Sequence, residues 1–144
     1  ASSICNEPVT STDFYPTMLE LAGLPPIPEQ HADGVSFVSL LRGVEMNRGP
    51  IYWHYPHYGN QGGTPGCSVR DGKYKLIRFF EDNHLELYDL SADQGEKQNL
   101  AASFPQEAER LNSLLNKWLD EMKAVIPQPD PEWRPWRECD LSLA

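Results

Sequence analysis

Between positions 51 and 90, short runs of β-branched and aromatic residues are separated by turn residues, and within the runs polar and apolar side chains alternate. Ile51-Tyr52-Trp53-His54-Tyr55, Ser68-Val69-Arg70, Tyr74-Lys75-Leu76-Ile77-Arg78-Phe79 and Leu85-Glu86-Leu87-Tyr88 read as three or four antiparallel strands. Asp71-Gly72 marks a tight hairpin, where Gly supplies the positive φ. A one-residue slip of the third run would exchange two half-buried faces, so its register is specified. The resulting meander has one face that needs cover.

That cover is written further along. Phe104, Ala108, Leu111, Leu115, Trp118 and Met122, with Leu114 and Leu119 beside them, repeat in steps of four and three. The spacing predicts a long helix capped by Ser103, with Pro105 in its first turn. An N-terminal helical segment is predicted by Phe14, Met18, Leu21 and Ala22, starting from Thr10 or Thr12 and stopped by Gly23. The proline-rich stretch 24–30 follows as an extended connector. Ser36 is placed to cap a short helix ended by Gly43, and 91–101 is a polar surface connection. The fold class is α+β: a small antiparallel sheet of about four strands under a C-terminal helix. The expected parts are a helical segment and linker at 1–49, the sheet and helix at 50–126, and a Pro/Trp-rich tail at 127–144.

Charge narrows the partners. Among 144 residues, 21 acidic against 12 basic side chains give a net charge of −9, which argues against nucleic acid, because phosphate binding needs clustered Lys and Arg. No apolar run approaches the roughly 20 residues that span a bilayer, so no membrane partner is expected. Cys5, Cys67 and Cys139 are too few and too far apart for a disulfide framework or a Cys-x-x-Cys metal site. The N-terminal residues carry neither a basic region nor an apolar stretch and read as no targeting segment.

Four motifs then lie in register. Ser11-Thr12-Asp13-Phe14-Tyr15-Pro16-Thr17-Met18-Leu19-Glu20-Leu21-Ala22-Gly23 is followed by Asp33-Gly34-Val35-Ser36-Phe37 and by Arg70-Asp71-Gly72-Lys73-Tyr74-Lys75-Leu76-Ile77. Leu87-Tyr88-Asp89-Leu90 closes the set, with Glu96 and Asn99-Leu100 behind it. Together they resemble the C-terminal portion of the arylsulfatase family, in the alkaline-phosphatase-like superfamily. The resemblance implies a larger parent that hydrolyses sulfate esters, aryl or carbohydrate. It implies an N-terminal catalytic domain holding a formylglycine and a calcium ion, and an exported or lysosomal location. The formylglycine motif, Cys or Ser-x-Pro-x-Arg, is not in this sequence: Glu7, Val69 and Leu141 stand where Pro is needed after the three cysteines, and Ser103-Phe104-Pro105 runs on to Glu107 instead of Arg. No catalytic residue and no cofactor is therefore expected within the chain, and it is predicted inactive by itself.

Residues suited to substrate contact concentrate in Trp53-His54-Tyr55-Pro56-His57-Tyr58-Gly59-Asn60-Gln61-Gly62-Gly63. A protonated His favours an anionic sulfate, and aromatic faces stack on sugar or aryl rings. His57 and Asn60, nearest the loop, are the candidates for substrate contact. His54, on the strand, serves either substrate or a local carbonyl. Tyr52 and Trp53 read as core. No metal site is expected, because two His without a third ligand, separated by Pro56, make a poor ligand set. Arg70 and Lys73 read as solvated charges at a hairpin tip, and Glu107, Glu109, Asp120 and Glu121 as a solvated helix face.

The expected partners are the parent's N-terminal catalytic domain and a sulfated small molecule or glycan. Self-association through an apolar surface carrying Phe14, Tyr15 or the 53–58 segment is a further expectation. Trp133 and Trp136 are expected to pin the tail to the surface or to mark a contact with the rest of the parent. Two other readings remain: a free-standing carbohydrate-binding or interaction module without catalysis, and a phosphatase or phosphodiesterase relative.

Overall fold

A computed structural model describes residues 4–46, 48–59 and 62–132. The chain divides into two compact units at Gly49 and Pro50.

The first unit is built on a buried carboxylate. A 3-10 turn, Ser11–Asp13, runs into helix α1, Phe14–Leu21. Asp13 is fully buried, and its carboxylate accepts the Thr10 N–H at 2.6 Å and the Val35 N–H at 2.9 Å while pairing with Arg48. Thr17, one turn on, donates to the Asp13 carbonyl at 2.6 Å and accepts the Phe37 N–H at 3.1 Å. Two short polar side chains thus tie α1 to 35–37, just ahead of helix α2, Val38–Leu41. Gly34 lies against the Thr12 carbonyl oxygen, 2.3 Å from where a Cβ would stand, so no larger residue fits there.

Several local expectations shift. Ser36 does not occupy the cap of α2. Phe37 does, while the Ser36 hydroxyl accepts the Val38 N–H at 3.3 Å and donates to Glu20 at 2.5 Å. The connector after α1 contains a 3-10 turn, Pro28–Gln30, which Pro28 can open because its missing N–H would have had no partner. On α1 the buried residues are Pro16 and Thr17, whereas Phe14, Met18 and Leu21 are about half exposed.

The second unit is a four-stranded antiparallel meander in the order β1-β2-β3-β4: Ile51–Tyr55, Gly66–Asp71, Tyr74–Phe79 and Leu85–Asp89. The hairpin between β2 and β3 turns on Gly72 and Lys73, and only Gly72 has positive φ, at +59°. Register places Tyr52 opposite Val69, Val69 opposite Leu76, and Leu76 opposite Leu87. These positions share one face, covered by helix α3, Pro105–Glu121.

Ala108, Leu111, Leu115 and Leu119 of α3 form one core with Cys67, Val69, Leu76 and Leu87. Each fully buried Leu contributes on the order of 1.5–3 kcal/mol. The stripe is narrower than its sequence pattern, since Phe104 and Met122 are about half exposed. Phe104, not Ser103, is the N-cap, because Pro105 opens the helix and disfavours helical backbone at the residue before it. Trp53 is not core either. At 43 % exposed it lies on the face away from α3, while Tyr52 stacks on Trp118 with ring centroids 4.9 Å apart.

The polar 91–101 connection serves the sheet edge. The Leu100 N–H donates to the Leu87 carbonyl at 2.8 Å, and Asn99 accepts the Leu87 N–H at 3.1 Å and donates to the Leu85 carbonyl at 3.2 Å. The outer N–H and carbonyl of Leu87 and the outer carbonyl of Leu85 are thereby occupied, which shortens the edge open to another strand.

Leu115→Ala is expected to cost about 2–5 kcal/mol by opening a cavity, against about 0.5 kcal/mol or less for Met122→Ala, read from urea midpoints at unchanged slope. In the first unit, burial by itself would raise the Asp13 carboxyl, but bonds from Arg48, Val35 and Thr10 outweigh it and hold it below the ordinary 3.8. A carboxyl lowered on folding adds stability above its unfolded value and loses it as pH falls through the folded one. Asp13→Asn should therefore weaken hydrogen-exchange protection of the Val35 amide at neutral pH and remove its loss as pH falls through and below the ordinary carboxylate range.

Candidate functional site

The aromatic strand β1 sends alternate side chains to opposite faces. Tyr52 and His54 point to the α3 side, and Trp53 and Tyr55 to the other. His54 lies opposite Cys67, edge-on to Phe80 with ring centroids 5.5 Å apart, and its Nε2 meets the Val125 carbonyl at 3.0 Å. A carbonyl only accepts, so Nε2 carries the proton and Nδ1 is an acceptor in the neutral ring. Nδ1 is buried and has no hydrogen-bond partner among the described residues. His54 thus meets the local carbonyl that the sequence left open as one of its two uses.

His57 sits in the open. It is exposed and lies edge-on to Tyr55 at 5.5 Å. Asn60 falls outside the described residues, as do Trp133, Trp136 and Cys139. Tyr58 is 70 % exposed, and its hydroxyl donates to Glu81 at 2.7 Å, a bond that raises the tyrosine above its ordinary value. The two imidazoles are therefore not on a common surface: His54 is turned into the helix side and His57 to solvent.

Beside Tyr58 lies a cavity of roughly 720 Å³, with Tyr58, Pro65, Phe80 and Glu81 on one side and residues 127–130 on the other. The Phe80 N–H donates to the Pro65 carbonyl at 2.9 Å, joining the ends of β2 and β3 under the cavity. No residue pattern marks it. Its far wall is the Pro-rich run after α3, whose lack of regular structure was legible but whose destination depends on the His54–Val125 bond.

The remaining ionisable groups are largely committed. Burial pushes the Cys67 thiol up, outweighing the nearby Arg78, which disfavours the nucleophilic thiolate. Arg78 reaches Asn116 and, at 3.4 Å, Asn112 on α3. Lys73, expected to be solvated, pairs with Asp89 at 2.7 Å, and Arg70 bonds the Gly72 carbonyl at 3.3 Å. Glu107 is likewise engaged: Arg110 bridges it to Asp71 at 2.7 Å each, pinning α3 to the hairpin. Among the described residues no group of three His, Cys, Asp or Glu side chains could hold a metal ion, and no helix is long and apolar enough to cross a membrane.

The family model for N-sulphoglucosamine sulphohydrolase, C-terminal, matches residues 1–125. The chain belongs to this family. It is 36 % identical over 126 residues to a sulfatase of Formosa agariphila, covering 77 % of this chain and 23 % of that one. It is 30 % identical over 132 residues to a Δ4,5-hexuronate-2-O-sulfatase of Bacteroides thetaiotaomicron, covering 85 % and 27 %. A solved structure in complex with its substrate, D-glucosamine-2-N,6-O-disulfate, superposes with a TM-score of 0.63 at 28 % identity, over 77 % of this chain and 24 % of that one. These relatives are sulfatases, alkaline-phosphatase-like in fold, and the present chain is a sulfatase C-terminal domain. It spans about a quarter of the length of the curated relatives it matches.

Lys73 and Asp89 give a direct check on which cations are committed. Hydrogen bonds from Lys73 and Ser91 hold the Asp89 carboxyl down to about 2. In Lys73→Met the Asp89 carboxyl is expected to move up toward the ordinary 3.8, as followed by side-chain carboxyl NMR titration.

Proposed function

We propose that the protein to which this C-terminal domain belongs hydrolyses sulfate esters of carbohydrates, and that this domain forms one wall of its substrate pocket. The observation that carries this reading is the family match over residues 1–125, which takes in both compact units, together with relatives that act on sulfated sugars. In this reading residues 1–49 end the region joining the catalytic domain, 50–126 form the C-terminal subdomain, and 127–144 form the tail. In the same reading the formylglycine and calcium belong to the catalytic domain, and the Cys or Ser-x-Pro-x-Arg motif is indeed not in this sequence. The domain by itself turns over no substrate.

His57, His54 and Asn60 are the residues assigned to the pocket wall. His57 is exposed, so a protonated imidazole there is available to a sulfate or hydroxyl oxygen. His54 faces the helix side against the Val125 carbonyl, and serves the wall only by supporting the strand that leads to His57. Partly exposed Trp53 and Tyr55 and the exposed Phe14 and Tyr15 are apolar surface of the kind that meets a neighbouring domain or a second copy.

The test is made on the full-length parent with a 4-nitrophenyl sulfate and a panel of O- and N-sulfated glycosaminoglycan disaccharides. Sulfate release from at least one disaccharide is expected. His57→Ala should lower kcat/KM by about tenfold, mainly through KM, if the imidazole makes a charge-assisted bond to substrate. Absence of sulfate release from every ester would overturn the reading, and an unchanged KM would remove His57 from the pocket.

A further inference from the structure

We propose that the cavity between Tyr58, Phe80 and the 127–130 segment is a subsite for an unsulfated pyranose ring, adjoining the sulfated residue in the same glycan. This rests on the reading of the parent as a glycan sulfatase and names a second place where the glycan is held.

The chemistry of the lining points to an uncharged sugar. Tyr58, Phe80, Pro65, Pro127 and Pro129 provide flat, weakly polar faces of the kind that pack on the C–H face of a pyranose. Glu81, Gln128 and Asp130 put hydrogen-bonding groups around them, suited to ring hydroxyls. The described lining carries two carboxylates and no Lys or Arg. A sulfate group would meet like charge there, whereas hydroxyls donate to carboxylates. At roughly 720 Å³ the space is of ligand size.

The walls are also held before any sugar arrives. Glu81 accepts the Tyr58 hydroxyl and so fixes that exposed ring. His54 ties Val125 to β1, and the Ala124 N–H returns to the Leu119 carbonyl at 2.9 Å, so the segment carrying Pro127 leaves α3 in a set direction. Such preorganisation lowers the ordering cost of binding.

The experiment is isothermal titration of the full-length parent with neutral trisaccharides of glucose, galactose and N-acetylglucosamine. At least one is expected to bind. Tyr58→Ala should weaken it by about three- to tenfold, and Glu81→Gln should weaken it as well by removing a charge-assisted acceptor. Tyr58 is 70 % exposed, so its removal leaves the core intact. No binding of any trisaccharide up to about 10 mM, or binding that neither substitution alters, would overturn the proposal. Failure is separable from that of the parent function: trisaccharide binding without sulfate release spares the subsite, and sulfate release without trisaccharide binding spares only the sulfatase reading.

Discussion

The second unit depends on the meeting of two periods. A strand repeats every two residues and a helix every 3.6, and only one register lets Val69, Leu76 and Leu87 stand together under Leu111 and Leu115. Once that contact is made, every other side chain in the sheet has its face decided. Tyr52 must stack on Trp118, His54 must turn to the helix side, and Trp53 and Tyr55 must turn away. The position of the loop that follows β1, and so of His57 and Tyr58, is inherited from a core to which neither residue belongs.

Polar groups fix what the apolar contact leaves loose. Asp71, Glu107 and Arg110 bind the hairpin to the first turns of α3, and Arg78 joins the sheet to Asn116 further along. Asn99 and Leu100 occupy the middle of the β4 edge, at Leu85 and Leu87, with backbone-like bonds. In the first unit the same work falls to one residue, Asp13, whose buried charge is met by two N–H donors and a guanidinium. A buried charge of this kind contributes little net stability beside a well-packed apolar group, but it specifies one arrangement, because removing any partner leaves the charge uncompensated.

Local signals carried most of the architecture. Asp71-Gly72 between alternating runs marked the hairpin, and the steps of three and four from Ala108 to Leu119 marked α3, since both depend on neighbours in sequence. What the sequence could not show was long-range. Tyr52 and Trp53 both read as core although alternation sets neighbours on opposite faces, and which face α3 covers depends on Val69 and Leu76, one and two strands away. Ser103 is a good cap residue, yet Pro105 moved the helix start by one position, a backbone constraint that overrode side-chain preference. The Phe80 and Glu81 side of the cavity was hidden in a turn, and its other side in a proline-rich run that composition marks only as irregular. The motif resemblance supplied what periodicity lacked, a family, while the placement of His54 against a carbonyl came only from the fold.

The cations around the sheet and in the first unit are drawn into ion pairs within the chain. Lys73 is paired with Asp89, Lys75 with Glu96 at 2.6 Å, Arg110 with Asp71 and Glu107, and Arg48 with Asp13. Each of these cations is already neutralised by a carboxylate, so moving one to a sulfate would require breaking an existing pair for a similar one. In a chain of net charge −9, these four cations are held by carboxylates of the chain itself.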